Sequence, residues 1–278
     1  MGVSFPLRNR ALASFFGVIE SCMSARFASV LLLLVWVVVR PLQAETTEQV
    51  IAKARAYLGT ESALDAVRSI HFKGTLDIRQ PGATTDPQPQ SASQPEPMPV
   101  EIFFQKPYQQ QMTVTRAGAI DTMVLDDYEG WSRTTSRQNP KQARITLLDV
   151  PQIKQLRANT WENLSFFSGL ERNGGTVKQN EDVVVDGVTC VKLSFIHSDL
   201  IVFHRYFELA TGRLIKTETA NGSEIREEGE LIVDGVRFPK KILNKTASGQ
   251  VTTIVFDTVV LNERIPASAF SVPSLLTE

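Results

Sequence analysis

Apolar and polar residues alternate with a period of two along most of this chain, and only two stretches switch to the longer helical period. Between Glu45 and Arg68, Val50, Ile51, Ala54, Tyr57 and Leu58 recur at three- and four-residue spacing, which places them on one helix face. Gly59 stops this helix, and Thr60 caps a short second one whose Ala63, Leu64 and Val67 face inward. Val150 to Leu170 predicts one or two further helical pieces. Pro151 stands near their start, and Ile153, Leu156, Trp161, Leu164 and Phe167 fall in register. Asn173-Gly174-Gly175 ends them.

The strands begin at Ser69, where Ile70, Phe72, Leu76 and Ile78 share one side. Four more are expected near 100–105, 108–116, 119–126 and 128–134. The C-terminal half continues with about 176–186, 188–197, 201–209, 213–220, 223–233, 236–246 and 250–260. Val184-Val-Asp-Gly-Val188 and Ile232-Val-Asp-Gly-Val236 each put Asp-Gly between apolar runs, a strong hairpin signal. Thr211-Gly212, Asn221-Gly222 and Ser248-Gly249 punctuate other turns. The expectation is an α+β, mainly β fold: a curled antiparallel sheet of about eleven strands forming an unclosed barrel. A sheet of that width curls, and the helices near 46–68 and 151–170 are the candidates to cap or plug its cavity.

Two stretches do not read as part of this sheet. Phe27 to Val39 is thirteen residues without a charge, flanked by Arg26 and Arg40. As a helix it would span roughly 20 Å, short of the ~30 Å hydrocarbon core. It therefore reads as the apolar region of a signal peptide, residues 1–44, cleaved after Ala44. An uncleaved N-terminal anchor is the alternative, and residues 1–22 read as an extension from an upstream start. Gln80 to Pro99 is Pro-, Gln- and Ser-rich and is expected to be a flexible loop inside the 45–278 domain.

Charge and cysteine content narrow the function classes. The leader holds four of the 29 basic residues and one of the 30 acidic ones, so residues 45–278 carry a net charge of −4. With no basic excess, nucleic-acid binding has no electrostatic footprint. Without the leader only Cys190 remains, mid-strand among apolar neighbours, which reads as a small buried hydrophobe rather than a nucleophile. His197, Asp199 and His204 lie on neighbouring predicted strands and could approach one another, but read more simply as polar residues at a hairpin. Asp126-Asp127 and Glu227-Glu228 read as turn or surface charges. No nucleophile elbow, phosphate loop or zinc pattern is present in the sequence. The expectation is a non-enzyme, with no cofactor and no metal.

Apolar and aromatic residues stand out instead, among them fifteen Phe. On 201–209, Ile201, Phe203, Phe207 and Leu209 share a face with Arg205. Either Arg205 serves there as a headgroup anchor or a latch to a lid helix, or the register is reversed and it points to water.

One further pattern lies in the order of the motifs. Tyr57-Leu-Gly-Thr-Glu-Ser-Ala-Leu64 leads into Val67-Arg-Ser-Ile-His-Phe-Lys-Gly-Thr75. Later come Arg205-Tyr-Phe-Glu-Leu-Ala-Thr-Gly-Arg-Leu214, Val233-Asp-Gly-Val-Arg-Phe-Pro239 and Leu261-Asn-Glu-Arg-Ile-Pro-Ala-Ser-Ala-Phe270. Together these resemble the outer-membrane lipoprotein carrier-like superfamily, the LolA/LolB-like fold, over most of 46–273. The Pro-rich stretch at 80–99, and Glu208 where relatives often place Asp, mark a divergent member. The resemblance implies a periplasmic protein holding a lipid, a lipoprotein acyl chain or another apolar ligand in a half-open barrel. An envelope protein is a second candidate partner, transient membrane association is compatible, and the alternative is an interaction or envelope-stress sensor module. The expected ligand-binding residues are Trp131, Trp161, Leu164, Phe167, Phe203 and Phe207, with Arg205 as a polar latch.

Overall fold

Asp186-Gly187 and Asp234-Gly235 occupy left-handed backbone, at φ 50° and 80° and at φ 50° and 78°, as two-residue hairpins between twisting strands require. The computed structural model describes residues 45–81 and 96–273. The expected leader, and the Pro-rich stretch from 82 to 95, lie outside the described residues. Of the loop expected from Gln80 to Pro99, Met98 and Pro99 instead belong to a strand.

Helix α1 (Thr47–Leu58) opens with a capping box between Thr46 and Gln49, and α2 (Glu61–Ala66) is capped by Thr60. The first strands are β1 (Ser69–Arg79), β2 (Met98–Gln105), β3 (Gln109–Thr115), β4 (Ala119–Asp126), β5 (Glu129–Ser136) and β6 (Ala143–Leu147). Helix α3 (Val150–Leu164) follows, with Asp149 and Gln152 forming its capping box. Then come β7 (Thr176–Gln179), β8 (Val183–Val185), β9 (Val188–Ser198), β10 (Ile201–Glu208) and β11 (Leu214–Thr219). The chain closes with β12 (Glu224–Glu228), β13 (Leu231–Val233), β14 (Val236–Phe238), β15 (Lys241–Lys245) and β16 (Val251–Leu261).

Fourteen of these strands form one curled, unclosed antiparallel sheet in the order β6-β5-β4-β3-β2-β1-β16-β15-β12-β11-β10-β9-β7, with β8 beside β9; β13 and β14 pair only with each other. The larger strand number has a local cause. The stretches expected at 223–233 and 236–246 each break, at Gly229-Glu230 and Pro239-Lys240, so that β13–β14 folds away as its own hairpin. The stretch at 176–186 likewise divides into β7 and β8, and the edge strand β6 has too little apolar alternation to be read in advance.

Register carries one inward-facing row around the sheet. Arg205 pairs with Thr217 and Thr217 with Ile225; Glu227 pairs with Ile242 and Ile242 with Ile254. Beyond β1, Phe72 pairs with Ile102 and Ile102 with Met112. A register shift between Lys73 and Gly74 bends β1 against β16. A Cβ at Gly74 would stand 2.0 Å from the Val255 carbonyl oxygen, so only glycine permits this close approach.

The interior holds two apolar clusters. One gathers Phe72, Phe104, Phe238 and Phe256 with Leu64 and Leu164; the other joins Val50 and Ala54 of α1 to Trp161 of α3 and Phe195, Phe203 and Phe207 of β9–β10. Outside the sheet, the C-terminal segment crosses the outer face. The Asn262 side chain accepts from Arg68 N at 2.7 Å, and Phe270 packs with Phe103, Val124 and Trp131.

Candidate ligand cavity

The inner face of the sheet, roofed by α3, forms a half-open cavity of about 310 Å³ lined by Phe72, Phe104, Met112, Ile225, Ile254 and Phe256 among others. That volume falls at the lower end of the ~300–1,000 Å³ common for small-molecule sites.

Four polar ties hold α3 over it, one of them between Arg157 and Asp127 of the β4–β5 turn. Thr160 Oγ1 donates to Gln110 Oε1 of β3 at 3.1 Å. On the other side, Glu162 reaches His197 Nε2 of β9 at 2.6 Å and Arg205 Nη1 of β10 at 2.5 Å. The Glu162 and Arg205 side chains are 4% and 8% exposed. Their approach is ionic rather than a directed hydrogen bond: Arg205 Nε and Nη1 and Glu162 Oε2 have no hydrogen-bond partner among the described residues. The guanidinium also stacks over the rings of Phe167 and Phe195, at 4.7 and 5.0 Å.

The roof ends in a strained turn. Phe166 and Phe167 sit at φ 49° and 70°, a backbone that bulky residues rarely adopt. One ring enters each interior cluster. Buried Arg55 of α1 holds this turn, donating from Nη1 to the carbonyl oxygens of Ser165 (3.1 Å) and Phe166 (3.0 Å). Its other nitrogens bind Glu61 at 2.5–3.0 Å.

Of the expected ligand-binding residues, Phe167, Phe203 and Arg205 line the cavity. Leu164 is buried in the neighbouring cluster, and Phe207 is wholly buried behind Phe167. Trp161 packs against His197 and lines a separate groove outside α3. Trp131 lies elsewhere: it faces the outer side of the sheet, and its Nε1 donates to the Phe270 carbonyl at 3.0 Å. Arg205 points inward, which corrects the alternative of a reversed register.

His197 and His204 do not meet. Strand alternation turns His197 to the interior, while His204 faces the other way, its Nδ1 2.8 Å from Ser194 Oγ. Burial pushes the His204 pKa below its usual value, with the Lys192 charge adding to the effect. Cys190 is fully buried, and that burial raises its thiol pKa.

Glu227 overturns its reading as a surface charge. It lies between the barrel cavity and a second cleft of about 550 Å³ bounded by α1, β11, β12 and β14, and it lines both. Glu227 stays solvent-accessible, and it borders both of these half-open spaces. The protein packed around its carboxyl raises the pKa, only partly offset by the Arg205 charge.

No protein-family model and no curated protein matches the sequence. Solved structures do match. A LolA superfamily protein from Nitrosomonas europaea superposes with a TM-score of 0.51 at 13% identity, over 82% of this chain and 99% of that one. A DUF1329 family protein from Desulfovibrio piger gives 0.51 at 8% identity, over 81% and 96%. The fold is LolA-like. Among the described residues, no helix is long and apolar enough to cross a membrane.

Proposed function

We propose that this chain is an exported, non-enzymatic binding protein of the cell envelope that holds a lipid, a lipoprotein acyl chain or a similar apolar ligand in its half-open barrel. The observation that carries this reading is the half-open cavity of about 310 Å³ whose inward row is mostly Phe, Ile and Met. Burial there yields about 25 cal/mol per Å² of apolar ligand surface, a driving force that needs no reactive group. Phe167, Phe203 and Arg205 are the proposed contacts from the expected set. The LolA-like fold supports the same reading by analogy of architecture.

Native mass spectrometry and lipid extraction after gentle purification test it, together with displacement of a fluorescent acyl probe. Co-purifying lipid or saturable probe binding is expected. A cavity that stays empty and a probe that does not bind would overturn the proposal.

A groove of about 410 Å³ beside α3 favours a second reading, a protein-interaction module. Tyr128 and Val150 line it at 71% and 63% exposure. Crosslinking that captures one specific envelope partner at this groove, with no lipid bound, would select that reading.

A further inference from the structure

Glu227 is the acid lining the cavity that has no ion pair among the described residues. The other carboxylates around the cavity and its side cleft are matched. Glu162 lies against His197 and Arg205, Asp186 against Arg226, Glu228 against Lys241, and Glu230 against Arg237. Glu227 has no ion pair or hydrogen bond among the described residues, although it stands where the cavity and the cleft adjoin.

The cations near this junction are committed elsewhere. Arg237 is held by Glu230 and donates to the Tyr57 carbonyl at 3.1 Å; Arg226 is shared by Asp186 and Glu224; Arg213 lies 3.5 Å from Glu208. Arg205 faces the same interior, but Glu162 lies 2.5 Å from it. An anionic head placed here would meet an acid without gaining a free cation. A cationic head would meet the one unmatched carboxylate while its tail extended among Phe72, Ile225, Ile254 and Phe256.

We infer that the cavity selects an amphiphile with a single cationic head, of the long-chain amine class, and that Glu227 is the residue that selects it. The inference rests on the proposed function and sharpens its ligand class. In the empty site burial favours the neutral carboxyl. An arriving ammonium head forms an ion pair with the Glu227 carboxylate.

Dodecylammonium, dodecanol and dodecanoate, each below its micelle-forming concentration, are titrated calorimetrically at neutral pH into the purified protein. The amine is expected to bind about tenfold more tightly than the alcohol, and dodecanoate more weakly than either. In Glu227→Gln the ratio of amine to alcohol affinity should fall to about one.

Equal affinities for the amine and the alcohol in the wild type, or an amine advantage that survives Glu227→Gln, would overturn the inference and leave the apolar cavity reading intact. If none of the three binds, the cavity reading itself fails.

Discussion

Glu162 of α3 lies 2.5 Å from Arg205 of β10, and together they form a buried ionic tie between the roof of the barrel and its wall. Removing one partner leaves the other charge desolvated and uncompensated. Glu162→Gln is therefore expected to cost about 3–5 kcal/mol in urea unfolding. The double variant Glu162→Met, Arg205→Met should recover most of that loss, because a matched apolar pair leaves no buried charge. A double variant as unstable as the single one would show that the tie is not what holds the roof.

The turn after α3 depends on Arg55 in a different way. Its guanidinium binds the carbonyl oxygens of Ser165 and Phe166 at the strained turn and the carboxylates of Glu61 and Asp65. Arg55→Met should destabilise the fold by about 2–3 kcal/mol, with the Phe166–Phe167 amides losing hydrogen-exchange protection before the strands do.

Filling the cavity separates binding from folding. Ile225 faces the open interior, so Ile225→Trp has room for its larger ring. Acyl-probe binding should fall by about tenfold or more, with the melting temperature changed by only a few degrees. Phe207→Ala is the contrast. It removes a ring with no exposed surface and should cost about 3–5 kcal/mol in stability.

Acid should weaken the fold through His204. Its folded pKa lies below the unfolded value of 6.5, so its contribution is fully present above pH 6.5. As the pH falls through 6.5, the unfolded chain takes up the proton before the folded one does, and stability declines until the folded pKa is reached. His204→Gln should show a shallower loss of stability over this interval in unfolding curves taken from pH 7.5 to 5.

Much of the architecture was legible because its signals are local. Thr60 and the Asp-Gly turns act through their own backbone, and each is where the pattern places it. The site was less legible, because it depends on which face a side chain takes. Trp131 and Phe203 are both strand aromatics, yet one meets the C-terminal segment outside the sheet and the other the cavity within.

Two of the missed residues had a signal. An arginine on an apolar strand face needs an acid, and Glu162 is the only acid in the helix expected to roof it. Adjacent Glu227 and Glu228 point to opposite faces, so in a curled sheet one of them turns inward. The breaks at Gly229-Glu230 and Pro239-Lys240 carry a glycine and a proline, and between them β13–β14 packs beside α1.

Among the described residues, no ladder joins β6 to β7. In a closed barrel, strand number and stagger fix the bore. Here the two free margins can part without breaking a backbone hydrogen bond. The girth of an admissible guest is therefore governed by the side-chain ties of α3, and point substitutions in one helix can retune it while the sheet stays whole.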